Sequence, residues 1–254
     1  MFGTIIQDAY TKDETKQIAD ALEDICNSRH EYGWSSAGIY CFWNYTTKEV
    51  LYIGLAVDLA KRFKQHNGII QMDANGCKFA KIQAYFETHE KIGYSVFVQS
   101  SHHQPVYSGN KAMWGQFNPN EFPVTEYAKE DIKRVEGILI ESYKMKHGDL
   151  PPWNRVGGSI EGQAAVKNGN YILVESFSHQ QSSPFVAKHT IRELSQDDNA
   201  TYLLYEENLH AVRMLMLTTG MSFNEAFEFL IKTKQFTTYK RIIDDNYLQH
   251  SLSF

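Results

Sequence analysis

Residues 37–54 read AGIYCFWNYTTKEVLYIG, and this stretch decides the fold. Two runs rich in β-branched and aromatic residues, AGIYCFWNY and VLYIG, flank the turn-prone TTKE, which predicts a β-hairpin. Each run carries a tripeptide, Gly38-Ile39-Tyr40 in the first and Tyr52-Ile53-Gly54 in the second, with eleven residues between them. Side chains alternate between the faces of a strand. With a connecting loop of odd length, Tyr40 and Tyr52 share a face, where two phenols can position a water and shuttle its proton. Tyrosine is also simply a good strand former, so the pair alone carries no function.

Beyond the hairpin, Asp58 is an N-cap for a helix, DLAKRFKQHN, that Asn67-Gly68 would end. Leu59 and Phe63 are four apart and suit the core, while Arg62 and His66 share an adjacent face. A guanidinium binds phosphate through paired hydrogen bonds and stabilises developing negative charge. An imidazole donates or accepts near neutral pH. The bland alternative is a solvated basic face. A helix follows at about 78–89 and then a third strand, YSVFVQS. Residues 101–125, rich in Gly, Pro, Asn and His, read as a long loop or insertion.

The next helix covers about 126–147, with Ile132, Val135, Leu139 and Tyr143 as its apolar stripe. Glu136 has Ile132 and Ile140 at its i±4 positions, at the edge of the buried face. A carboxylate there suits a hard divalent cation, or it is a boundary glutamate reaching for water; Glu141 is a weaker alternative. Gly148 and Pro151-Pro152 stop the helix before Trp153-Asn154.

Upstream, residues 11–27 form an amphipathic helix with Ile18, Leu22 and Ile25 on one stripe, and SRHEYGWSS is a loop. Past Gly157-Gly158 the character changes. Residues 171–174, YILV, predict one more strand. The remainder is helical, with one helix ending at Gly220 and a capping box, Ser222 to Glu225, opening the next. That helix starts with Glu225 and Glu228, which would face phosphates badly, so a packing or dimer element is favoured over a DNA-reading helix-turn-helix. Adjacent His102-His103 are poorly spaced for zinc.

Among 254 residues, 43% are hydrophobic and 22% charged, which fits a folded protein with a real core. No run approaches the roughly 18 apolar residues of a membrane span, and no signal peptide is visible. The three cysteines, Cys26, Cys41 and Cys77, form no CxxC pair, which suits a reducing, cytoplasmic setting. Net charge is −5, so attraction to nucleic acid must rest on a local patch: Lys61, Arg62, Lys64, His66, Lys78 and Lys81.

The joint order of these motifs resembles the GIY-YIG nuclease superfamily, over about residues 36–158. Both tripeptides match without substitution, Arg62 and His66 match the helix after the second tripeptide, Glu136-x-x-Leu139-Ile140 matches the metal-binding glutamate, and Pro152-Trp153-Asn154 resembles the ending of repair members. Lys78 stands where some homing enzymes carry a second histidine.

The resemblance implies an α+β fold: a GIY-YIG domain (36–158, with an insertion at about 101–125) built on a central three-stranded antiparallel sheet flanked by helices. An N-terminal helical extension (1–35) precedes it. A mainly helical recognition or dimerisation region (159–254) follows. It also implies a divalent-metal-dependent endonuclease of restriction, defence or phage type. Glu136 would hold Mg2+ or Mn2+, and Tyr40 would take the proton of the attacking water with Tyr52 and His66 assisting. Arg62 would stabilise the transition state, and Asn154 would be structural or water-orienting. Lys61, Lys64, Lys78 and Lys81 are the nucleic-acid-binding candidates. DNA is preferred over RNA, a homodimer is a reasonable partner, and no membrane is involved. The rivals are an RNA-cleaving effector on the same fold and a non-catalytic nucleic-acid-binding module.

Overall fold

The computed structural model describes residues 2–26, 36–71, 78–100, 124–179, 183–233 and 237–254. Most of the 28–36 loop, most of the 101–125 insertion, Cys77 and His102-His103 lie outside the described residues.

The hairpin forms as the sequence predicts. Strand β2 (Gly38–Asn44) pairs antiparallel with β3 (Val50–Ala56), joining Tyr40 to Gly54 and Phe42 to Tyr52. A register shift at Phe42/Trp43 leaves Leu51 as the extra residue. In the turn, Asn44 Oδ1 accepts from the backbone N–H of Thr46 and of Thr47. Strand β4 (Lys91–Gln99) lies on the other side of β2.

The sheet has four strands rather than the expected three. The N-terminal stretch, expected as a helical extension, begins with strand β1 (Phe2–Thr11), which pairs antiparallel with β4. Spatial order is β1-β4-β2-β3. Helix α1 (Thr15–Ile25) follows, burying Ile18, Leu22 and Ile25 as its stripe requires. The outer edge of β1 is covered, as an exposed edge would template aggregation. Ile5 donates to Phe185 O and accepts from Ala187 N, both at 2.8 Å.

Helices cover both faces. On one, α1, α2 (Leu59–His66) and α3 (Phe79–Phe86) enclose Ile6, Tyr10, Tyr40, Phe42, Tyr94 and Val96. On the other, α4 (Val124–His147) and α6 (Tyr171–Glu175) enclose Ile5, Ile39, Cys41, Trp43, Ile53 and Phe97. Residues 171–174, expected as a strand, form α6. A four-residue apolar run carries no period to tell the two apart, and Leu173 and Val174 are buried in the second core by a helical turn.

Short α5 (Ile160–Ala164) packs on α4 through glycines: a Cβ on Gly162 would meet Arg134 O at 2.3 Å. After α7 (Ile191–Leu194), helices α8 (Ala200–Thr219), α9 (Phe223–Thr233) and α10 (Thr237–Asp244) build a third core around Tyr205, Leu209, Phe227 and Ile242. The left-handed Gly220 (φ 77°) ends α8, and Ser222 and Glu225 exchange the predicted capping bonds. Among the described residues no helix is long and apolar enough to cross a membrane.

Candidate active site at the outer edge of β3

Asp58 caps α2, its Oδ1 accepting from Lys61 N at 2.8 Å. With that start fixed, Leu59 and Phe63 enter the core and the adjacent stripe brings Arg62 and His66 against the tyrosine face of the hairpin. Tyr40, Tyr52 and His66 form one cluster. Ring centroids lie 5.7 Å apart for the two tyrosines, 5.4 Å for Tyr40 and His66, and 6.2 Å for Tyr52 and His66. Tyr40 Oη is 2.7 Å from His66 Nε2. The phenols fit because the residue opposite Tyr40 has no side chain: a Cβ on Gly54 would meet Tyr40 Oη at 2.8 Å and Tyr52 Cε1 at 2.7 Å.

Burial dominates the electrostatics. It pushes the Tyr40 hydroxyl well above the usual phenol range; Tyr52 adds to the rise and Arg62 opposes it. Burial, then the charges of Arg62 and Lys78, hold His66 at a pKa of about 3. An imidazole ordinarily titrates near neutral pH, but the wholly enclosed His66 ring is held neutral.

The carboxylate arrives from the other face of the sheet. Strand β3 is the free edge, and three groups satisfy it in turn. Trp153 N donates to Leu51 O at 2.8 Å. The Asn154 amide accepts from Ile53 N at 3.0 Å and donates to Ile53 O at 2.8 Å. Glu136 accepts from the Leu55 N–H. Asn154 therefore bonds to the strand through both ends of its amide and anchors it. Glu136 reaches around the edge to within electrostatic range of Tyr52. It is half-buried, and burial raises its pKa to about 7, offset only by the Leu55 bond. Among the described residues no lysine or arginine shifts it. Glu141, a turn further on, stands 3.7 Å from Lys144 Nζ.

The basic patch is less uniform than the sequence suggests. Lys61 is exposed. Lys64 is committed to an ion pair with Glu23 of α1 at 2.6 Å. The Lys78 ammonium lies 4.4 Å from the Tyr52 ring centre, and its backbone N–H bonds to His66 Nδ1 at 3.1 Å. Lys81 Nζ donates to Pro152 O at 3.4 Å. Lys78 thus belongs to the cluster itself, a role that spacing did not reveal because it depends on how α3 starts.

Among the described residues no three His, Cys, Asp or Glu side chains form a metal cage. A half-buried carboxylate that no lysine or arginine among the described residues offsets still fits a magnesium-like ion, which retains several waters and needs one or two protein carboxylates. Comparison with protein-family models, curated proteins and solved structures finds no match.

Proposed function

We propose that this protein is a divalent-metal-dependent endonuclease on the GIY-YIG pattern that hydrolyses phosphodiester bonds, with DNA the preferred substrate. The observation that carries the reading is Glu136. A half-buried carboxylate whose charge is opposed by burial, with no lysine or arginine among the described residues offsetting it, stands across the β3 edge from a phenol pair and a guanidinium. A bound Mg2+ or Mn2+ would polarise a phosphate oxygen there and offset the charge that burial disfavours.

The remaining roles follow from position. Arg62 faces both phenols and stabilises charge on the phosphate as it is attacked. Tyr40 takes the proton of the attacking water as it gives up its own. Asn154 and Trp153 hold β3, and with it Tyr52, in place. Lys61 and Lys81 border the site and meet the backbone of the bound strand. Cutting both strands with one site per chain calls for two chains, so the proposal includes a homodimer on its target. Buried, unpaired Cys26 and Cys41 suit a cytoplasmic setting.

The test is cleavage of mixed-sequence double-stranded DNA, single-stranded DNA and RNA, with magnesium and with chelator, by wild type and Glu136→Ala. Metal-dependent cutting of DNA that the substitution removes is the expected result. Faster cutting of RNA transfers the reading to an RNA-cleaving effector. Binding with no cutting of any substrate transfers it to a binding module.

A further inference from the structure

His66 makes hydrogen bonds at both ring nitrogens, and together they fix its proton. Its Nδ1 faces the backbone nitrogen of Lys78 at 3.1 Å. A backbone N–H only donates, so Nδ1 is the bare, accepting nitrogen. A neutral imidazole with a bare Nδ1 carries its hydrogen on Nε2. Nε2 is the atom 2.7 Å from Tyr40 Oη. Complete burial, aided by the charges of Arg62 and Lys78, excludes the doubly protonated ring.

We infer that His66 is a fixed hydrogen-bond donor to Tyr40, a positioning residue rather than a base, and that Tyr40 passes its proton to Tyr52. This rests on the proposed hydrolysis for its chemistry, though not for its geometry. For His66 to accept from Tyr40, Nε2 would have to be bare and Nδ1 protonated. Two N–H groups would then face each other at Lys78, in a buried place, with neither accepting. With its oxygen engaged by His66, the Tyr40 hydroxyl hydrogen must find another acceptor. The Tyr52 phenol is the neighbour placed to take it: its ring centre lies 5.7 Å from that of Tyr40, against 6.3 Å for Tyr94, and both rings crowd the same side of Gly54.

The proton path then runs outward. Tyr40 is buried and Tyr52 partly exposed. As the water oxygen bonds to phosphorus, its proton moves to Tyr40 Oη. The Tyr40 hydrogen moves to Tyr52, and that of Tyr52 leaves to solvent. The scissile P–O bond breaks, and the departing oxygen takes a proton from solvent. His66 keeps its Nε2 hydrogen throughout. The bond it donates strengthens as negative charge gathers on Tyr40 Oη.

Imidazole 15N NMR on the intact, metal-free protein tests this, with His66 assigned by its absence from His66→Leu. The expected spectrum is the Nε2–H tautomer, unchanged from about pH 5.5 to 9. An Nδ1–H tautomer, or a titration in that range, overturns the inference. This reading needs no cleavage, so it stands or falls apart from the nuclease proposal. The functional arm compares His66→Gln, whose side-chain amide donates from nearly the same place, with His66→Leu. Leucine should lower cleavage by about 100-fold or more, and glutamine should recover about tenfold of that with the wild-type pH profile. Glutamine as inactive as leucine overturns the donor role.

Discussion

Two buried polar clusters sit on the same sheet and are finished in opposite ways. At the β1 end, Arg213 and Glu206 of α8 form an ion pair at 2.6 Å with both side chains almost wholly buried. Both charges of that pair are further satisfied. Arg213 also donates to Thr4 Oγ1, Pro184 O and Val186 O, and Glu206 accepts from Lys188 N and Tyr247 Oη. At the β3 end, Glu136 has one backbone N–H and, among the described residues, no lysine or arginine offsetting its charge, and His66 is held neutral. A network with its charges paired fixes how α8 docks on β1. An incomplete one leaves a desolvated carboxylate that a positive ligand would stabilise, which marks a functional site better than burial alone does.

The largest effect expected from this contrast is at the completed end. Glu206→Ala leaves the Arg213 guanidinium buried without its partner, and should cost about 3–5 kcal/mol of stability. Denaturant midpoints measure it. A cost below about 1 kcal/mol would mean that water reaches Arg213 readily, and the two ends would no longer differ in kind.

Next comes the incomplete end, where removing the charge should help. The folded Glu136 holds its proton more tightly than the unfolded chain, with a pKa of about 7 against 4.5. Its contribution is therefore fully present below about pH 4.5 and lost as pH rises through about 7. Glu136→Gln should escape that loss and become the more stable protein by about 1–3 kcal/mol at pH 8, with little difference at pH 4, allowing for partial exposure. Magnesium at pH 8 should raise the melting temperature of wild type and not of Glu136→Gln. Equal pH profiles for the two proteins, with no response to metal, would remove the ground for a cation site.

The two ends also differ in how far the sequence reveals them. Around β3 the signals are local. The hairpin alternates, Asp58 caps α2, and the α4 stripe places Glu136 at its boundary, so the elements and the candidate residues are readable within short windows. The β1 end depends on distant partners. Strand β1 is buried on both faces and keeps Thr4, Gln7 and Asp8 inside, so it shows no alternation of apolar and polar residues. Thr4, the Gln7 amide nitrogen and Asp8 bond to Arg213, Ser176 O and Arg192, which lie 169–209 residues away. Even at the β3 end some of the reading failed. A basic helix gave no sign that His66 would be enclosed, and the Lys78 N–H that orients it comes from the start of another helix.

Lys64 separates contribution by charge from contribution by place, with the smallest effect. As a cation on the exposed stripe of α2 it looked like a phosphate ligand. Its ammonium is instead 2.6 Å from Glu23 Oε1, and both side chains are partly exposed. A partly exposed pair of this kind is worth about 0.2–1 kcal/mol, so Lys64→Ala should lower stability by no more than that. The charge it removes is already neutralised locally, so binding to DNA and its dependence on salt should not move. Lys61, on the same helix and exposed, should behave differently: Lys61→Ala should weaken binding and reduce the slope of log affinity against log salt by about 1. Both are best measured in a Glu136→Gln background, so that cleavage does not consume the probe. If Lys64→Ala reduces the slope as much as Lys61→Ala, then Lys64 exchanges Glu23 for phosphate on binding, and α1 is part of the nucleic-acid surface rather than only its support.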